Sequence, residues 1–215
     1  MGNVNYQREL DNILSDLPTI EPPKSLLLHS CCAPCSTYVL KYLSQYFAIT
    51  LYFYNPNITE EIEYQRRLLE QRRLIETLNK TEKVKYLITI IEAPYEVQEF
   101  HDCVKGLEQE LEGGKRCEAC FRLRLEASAK IAKELGSDYF TTTLTISPRK
   151  NSKLLNEVGQ EVAERYQEQF LPSDFKKKEG YKQSVQLSEL YELYRQDYCG
   201  CVYSKRQREE EVNKK

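Results

Sequence analysis

The stretch Leu26–Leu40, "LLLHSCCAPCSTYVL", sets three cysteines, Cys31, Cys32 and Cys35, directly after an apolar run. With Lys24 and Ser25 in front, "KSLLLHS" reads as a short buried strand, and the thiols fall at its carboxyl end. Three more segments have strand character. "FAITLYFYNPN" is stopped by Pro56, "KVKYLITIIEAPY" follows, and "SDYFTTTLTISP" is rich in Thr and aromatics. Helical patterns lie between them. "TEEIEYQRRLLEQRRLIETLN" offers Thr59 as N-cap, with Glu60, Glu61 and Glu63 at the positive end of the dipole. A short helix is expected through Val97–Leu111, ending before Gly113-Gly114. In "CEACFRLRLEASAKIAKELG", Phe121, Leu125, Ala129, Ala132 and Leu135 keep helical spacing, and Gly136 is a ready C-terminal cap. "NSKLLNEVGQEVAERYQ" is a further helix, and "QFLPSDFKKKEGY" is a loop with room for one short strand. Leu187, Leu190, Tyr191 and Tyr194 mark a last amphipathic helix before "DYCGC".

Alternation of strands and helices predicts an α/β fold, a parallel sheet covered by helices on both faces. In such sheets ligands sit beyond the carboxyl ends of the strands. "HSCCAPC", "YNPN" and "TISP" all occupy such ends. No internal repeat or low-complexity linker divides the chain. The expected organisation is an N-terminal extension over 1–23, a single α/β metallo-domain over 24–204 and a charged tail over 205–215. Leu10, Ile13, Leu14 and Leu17 give the extension helical spacing, ended by Pro18, Pro22 and Pro23. The tail, "SKRQREEEVNKK", is expected to fray.

At 215 residues, 40% hydrophobic and 30% charged, the chain has the balance of a soluble globular protein. No apolar run reaches the length of a membrane span. The start, "MGNVNYQRELDNILSDLP", lacks a basic region followed by an apolar one, so no signal peptide is expected and the expected location is cytoplasmic. The net charge of -2 does not mark a nucleic-acid binder, though local basic clusters can serve. They occur at Arg66-Arg67 with Arg72-Arg73, at Lys115-Arg116 with Arg122 and Arg124, at Arg149-Lys150 and at Lys176–Lys178. The first, interleaved with Glu63 and Glu70, reads as a solvated face. The second and third border the cysteines and the "TISP" loop, where a polyanion over the site needs positive charge.

The eight cysteines are Cys31, Cys32, Cys35, Cys103, Cys117, Cys120, Cys199 and Cys201. In a cytosolic chain, grouped thiols point to metal or redox chemistry rather than to a disulfide scaffold. Cys117 and Cys120 form a C-x-x-C at a helix start, where the dipole favours the thiolate. With Cys31 and Cys32 they make four thiolates, a set that suits tetrahedral zinc or an iron–sulfur cluster. Adjacent cysteines diverge and are awkward for one small ion, and zinc prefers paired C-x-x-C knuckles, so the spacing favours a cluster over structural zinc. Cys199-Gly200-Cys201 brings two thiols so close that a disulfide between them is strained and labile, which suits an electron relay; a second pair of metal ligands is the competing reading. Cys103 reads as a core residue. His29 is a structural residue or a partner of sulfur or substrate. No P-loop, G-x-G-x-x-G or pyrophosphatase loop is present, which argues against nucleotide hydrolysis and against an ATP-dependent tRNA thiolation enzyme.

Taken together, "LLLHSCCAPC", "FYNPNI" with "EYQRR", "RCEACFRLRLEASA", "YFTTTLTISPRKN", "DFKKKEGY" and "YRQDYCGCVYS" resemble epoxyqueuosine reductase of the QueH type, from about Ser25 to Ser204. The resemblance implies a parallel-sheet three-layer fold of the adenine-nucleotide-hydrolase-like (PP-loop/HUP) type, with cysteines in place of the nucleotide loop. It implies a 4Fe-4S cluster on Cys31, Cys32, Cys117 and Cys120, an additional iron ion nearby, and a redox-active disulfide between Cys199 and Cys201. The implied reaction is the last step of queuosine biosynthesis, conversion of epoxyqueuosine in tRNA to queuosine with electrons from an unnamed donor. Cys35 is then a free thiol within reach of the second metal. The alternative is a structural zinc module that binds RNA without catalysis.

Overall fold

In the strand Ser25–His29 (β1), alternate side chains enter two different cores. Leu26 and Leu28 join one cluster, and Leu27 joins the other. That alternation is the period-2 geometry of a strand covered on both faces. The computed structural model describes residues 4–18, 22–81 and 84–213. β1 pairs in parallel with Ala48–Phe53 (β2) on one side and with Tyr139–Thr142 (β4) on the other. Thr89–Glu92 (β3) adds to β2, so the sheet order is β3-β2-β1-β4, all parallel. The fold is therefore the α/β three-layer arrangement that the alternating pattern implies.

The Leu26/Leu28 face is covered by Tyr6–Asp16 (α1), Ala33–Leu43 (α2) and Glu61–Thr81 (α3), through Leu10, Val39, Leu43, Leu74 and Leu78 among others. The Leu27 face is covered by Lys115–Leu135 (α5) and Ser152–Tyr166 (α6), through Leu125, Ala129, Val158 and Val162. Between them in the chain runs the short helix Val97–Cys103 (α4). α5 ends as its sequence promised: Gly136 takes φ 64 and its N–H returns to Ala132 and Lys133.

Several elements differ from expectation. α2 begins right after the cysteines, with Pro34 in its first turn, where a missing N–H costs nothing. α3 starts at Glu61, so Thr59 lies outside the capping position and donates its N–H to Gly200 instead. β4 is short because the Thr142 hydroxyl accepts from the Leu144 N–H and turns Thr143–Ile146 into a 3-10 helix. α4 stops at Cys103 rather than near Leu111. Gly180–Leu190 (α7) packs not through Leu187 and Leu190 but through Gly180, Ser184 and Ser188, spaced four apart, while Leu190 is exposed. Small residues let α7 approach closely, and a Cβ on Gly180 would lie 2.0 Å from the Phe175 carbonyl oxygen. The charged tail is helical from Val202 to Asn213 (α8), with Arg208 3.3 Å from both Asp197 and Glu211.

Chain connections leave β1 and β4 in opposite directions, which opens the crevice where such sheets hold ligands. His29 closes the floor of this crevice. It is fully buried; its Nε2 lies 3.0 Å from the Tyr54 carbonyl and its Nδ1 2.9 Å from the Thr142 hydroxyl. A carbonyl only accepts, so Nε2 carries the proton and Nδ1 accepts from Thr142. His29 is thus a structural residue here. Burial, reinforced by the positive charge of Arg124, lowers its pKa from 6.5 to about 3.

The sign of the resulting pH dependence follows directly. The unfolded chain binds a proton at this histidine below about pH 6.5, while the folded chain does not. Stability falls as pH falls from about 6.5 toward 4.5, above the main carboxylate range, with a limiting slope of about 1.4 kcal/mol per pH unit. Urea titrations at pH 6.5, 5.5 and 4.5 should show this slope in the natural chain and a flatter one in His29→Gln. Equal slopes would show that His29 is not the responsible group.

Candidate metal centre

Immediately beyond β1, the chain turns at Ser30 and presents Cys31 and Cys32 to the crevice. Both are buried, and their sulfurs are 3.7 Å apart. Cys35, one turn into α2, completes a triad whose three Sγ atoms all lie within 4.8 Å of one another. This triad could hold a metal ion. Hydrogen bonds from Cys32, then from Cys35, hold the Cys31 thiol well below its ordinary range. The bond to Cys31 pushes Cys32 and Cys35 upward. Cys31 is thus the most acidic thiol of the triad. Across the switch point, the Thr143 hydroxyl lies 3.9 Å from Cys31 Sγ. Beneath the turn, Gln71 accepts from the hydroxyls of Ser30 at 2.8 Å and Ser36 at 3.0 Å, which fixes the loop that carries the cysteines.

Cys117 and Cys120 stand one turn apart at the start of α5. They line an apolar cavity together with Asn57, Phe100, Arg124, Lys150, Cys199 and Cys201. Cys117 also packs against the group that contains Cys31 and Cys32. Of the four expected cluster ligands, Cys117 and Cys120 line this cavity and Cys31 and Cys32 do not; the tightest thiol group among the described residues is Cys31, Cys32 and Cys35. Gly113 donates its N–H to Cys117 Sγ at 3.2 Å. Burial nevertheless outweighs that bond and the helix terminus: it raises the Cys117 thiol and takes Cys120 up to about 12. The expected thiolate bias of the C-x-x-C is therefore overridden until a cation is present to compensate.

Cys199 and Cys201 are free thiols in this structure. Gly200 between them takes φ 120, a conformation open to glycine, and a Cβ there would meet Ile58 Cγ1 at 2.9 Å and Arg67 Nη1 at 3.2 Å. The "CGC" turn is thereby pressed onto α3. Arg67 Nη1 donates to the Cys199 carbonyl at 3.0 Å, and the Gly200 carbonyl accepts from Thr59. Ser204 donates its N–H to Cys201 Sγ at 3.4 Å. Cys103, half-buried beside Cys120 and Cys201, is a core thiol raised by burial to about 11.

Arg67 holds this segment from the interior, which corrects its reading as part of a solvated face, whereas Arg66, Arg72 and Arg73 are exposed as that reading expects. Arg67 is 2% exposed and pairs with Glu63 at 2.7 Å. Arg66 lies 3.3 Å over the Tyr194 ring, and Arg73 donates to the carbonyls of Tyr191 at 3.0 Å and Glu192 at 2.8 Å. Arg116 is likewise removed from the expected basic surface. It is buried, stacks on Tyr203, and donates to the Glu108 and Glu110 carbonyls to tie down the loop before α5. Lys115 and Arg149 remain exposed, and Lys150 is partly covered. Signals for Arg67 existed in its spacing: Glu63 and Arg67 are an i,i+4 pair on the face that carries Tyr64, Leu68 and Gln71.

A second, wider cleft of about 380 Å³ opens against the triad. Its lining includes Cys31, Cys35, Arg149, Lys150, Arg195 and Tyr198. Lys150 borders both spaces.

The class of protein is thus a parallel α/β sheet that carries, at its switch point, a cysteine triad able to hold a metal ion. The chain belongs to the epoxyqueuosine reductase QueH family, whose profile matches residues 26–207. It is similar to the epoxyqueuosine reductase QueH of Staphylococcus epidermidis, 46% identical over 203 residues, covering 94% of this chain and 84% of that protein. The QueH of Streptococcus pyogenes serotype M1 is 46% identical over 201 residues, covering 94% and 78%. That of Thermotoga maritima is 32% identical over 197 residues, covering 89% and 97%. Among the described residues, no helix is long and apolar enough to cross a membrane.

Replacing Arg67 by Met should destabilise the fold by about 3–5 kcal/mol, because Glu63 is left buried without its partner. The double variant Glu63→Gln/Arg67→Met should recover part of that loss in urea unfolding. A double variant no more stable than Arg67→Met alone would dismiss the ion pair as the anchor of the "CGC" turn.

Proposed function

We propose that this chain reduces epoxyqueuosine in tRNA to queuosine, the final step of queuosine biosynthesis. One observation supports the reading in a chain of this family: Cys117, Cys120, Cys199 and Cys201 line one cavity, Cys31, Cys35 and Cys199 line the adjoining cleft, and Cys199 and Lys150 border both. In the reaction both C–O bonds of the epoxide break, a carbon–carbon double bond forms, and the oxygen leaves as water with two electrons and two protons.

The donor set fits a 4Fe-4S cluster. Cys31 and Cys32 would hold it from the turn after β1, and Cys117 and Cys120 from the first two turns of α5. A cluster spreads its ligation points, which suits adjacent cysteines and thiols on opposite walls of a cavity. The unpartnered guanidinium of Arg124 in that cavity calls for an anion of this kind. An additional iron ion is assigned beside Cys35, the third member of the triad. Bound there, these groups would supply electrons one at a time and a Lewis acid for the departing oxygen.

The remaining work falls to the chain itself. Cys199 and Cys201 form the redox-active dithiol that cycles to a disulfide and is restored by an external electron donor. The wider cleft admits the modified nucleoside. Gln196, whose buried Oε1 lacks a partner, lines it and can accept from a base edge. Arg149 and Lys150 meet phosphate, and Lys150, which borders both spaces, can hold a proton for the oxygen. Acting on tRNA places the enzyme in the cytoplasm.

A zinc site on Cys31, Cys32 and Cys35 is the second reading, because these sulfurs form the tightest group. Anaerobic incubation with epoxyqueuosine-containing tRNA and a reductant, followed by nucleoside mass analysis, tests the proposal. Queuosine should accumulate with the natural chain. Cys117→Ala should lose visible absorption and activity, whereas Cys103→Ala should keep both. Colourless, zinc-loaded protein that binds tRNA and leaves the epoxide intact would establish the zinc reading.

A further inference from the structure

Arg124 has the most demanding position in the molecule. It lies one turn beyond Cys120 and two beyond Cys117 on α5, so all three share the face turned to the cavity. Its side chain is 0% exposed. Nε donates to the Cys120 carbonyl at 3.2 Å, and Nη1 and Nη2 are buried with no hydrogen-bond partner. Among the described residues no carboxylate pairs with it. Arg67, equally buried, is matched by Glu63 at 2.7 Å. What lies about Arg124 instead is the Phe121 ring, whose centroid is 5.7 Å from the guanidinium carbon, and sulfur: Cys120, Cys199, Cys31 and Cys117 are the groups whose charges act on it. Lys150 lines the same cavity.

A guanidinium taken from water without an anion is costly, and a fold that keeps one has a use for it. The space it faces is bounded by thiols, so its partner is a sulfur-rich anion able to accept from two N–H groups. We propose that Arg124 is the internal counter-ion of the metal–thiolate centre: its free Nη hydrogens bond the sulfur atoms of that centre and stabilise its reduced, more negative state. Arg124 is thus a positioning residue that sets the reduction potential. This rests on the reading of the centre as a 4Fe-4S cluster. Net charge and hydrogen bonds to sulfur are among the levers that tune such potentials.

The test compares the natural chain with Arg124→Gln and Arg124→Lys. In anaerobically reconstituted protein, Arg124→Gln should lower the midpoint potential by about 60 mV or more, a tenfold change in the ratio of oxidised to reduced centre at fixed potential. Arg124→Lys, which keeps the charge and loses the planar fork, should fall less. Stability supplies a second readout that does not need a redox centre. In the chelator-stripped protein, Arg124→Gln should unfold at a higher temperature than the natural chain, since a buried unmatched charge is gone. Loaded with metal, the same variant should release its metal to chelator faster. A merely structural arginine predicts destabilisation in both forms. A natural potential in Arg124→Gln, or equal destabilisation of stripped and loaded protein, would overturn the proposal. If the natural chain takes up only zinc, the cluster reading fails, yet the opposed stability shifts still decide the role of Arg124.

Discussion

A buried positive charge must be answered by a negative one, and two arginines impose that constraint on this fold. Arg67 and Arg124 are among the largest fully buried side chains, on opposite sides of the sheet. Arg67 finds Glu63 on its own helix and the carbonyl of Cys199 across the gap. The result is mechanical: the "CGC" turn is pinned over the end of β2. Arg124 finds a backbone carbonyl, the Phe121 ring and the charges of nearby thiols. There the guanidinium is left in the interior with Nη1 and Nη2 lacking a hydrogen-bond partner.

The sheet makes this arrangement possible. Parallel strands buried on both faces leave their carboxyl ends as the one place where polar chemistry can gather without breaking the core. β1 delivers Cys31 and Cys32 there, and β4 delivers Thr143 opposite them. α5 is the longest helix on its side, and Cys117 in its first turn packs against the group that contains Cys31 and Cys32. The C-terminal segment then crosses over the top, held by Arg66, Arg67 and Arg73. Pieces from four separate parts of the chain therefore close one interior.

Much of this was legible in the sequence. The apolar run "LLLH", the glycine after α5 and the thiols after β1 are local signals, and each led to the right element. The failures share a cause, namely reading polarity as exposure. α7 packs by Gly180, Ser184 and Ser188, small residues that a search for apolar spacing passes over. α8 is charged all round yet helical, supported by ion pairs such as Arg208 with Asp197. α2 hid behind Pro34, which a first helical turn tolerates. Arg67, Arg116 and Arg124 looked like surface charge but are interior. The signal that could have placed Arg124 was its spacing, four residues from Cys120 and seven from Cys117 on the same helical face. No local signal could have shown that Cys35 sits closer to Cys31 and Cys32 than the C-x-x-C does, because that depends on the tertiary path of α5.

The central claim is that an anionic iron–sulfur centre spans the interior between β1 and α5. Anomalous diffraction at the iron edge, on crystals grown without oxygen, tests it most directly. The account predicts a compact group of iron peaks bounded by the sulfurs of Cys31, Cys32, Cys117 and Cys120, with the Arg124 guanidinium against its sulfur. A single peak at the zinc edge, seated on Cys31, Cys32 and Cys35 with Arg124 facing no sulfur of the centre, would contradict it.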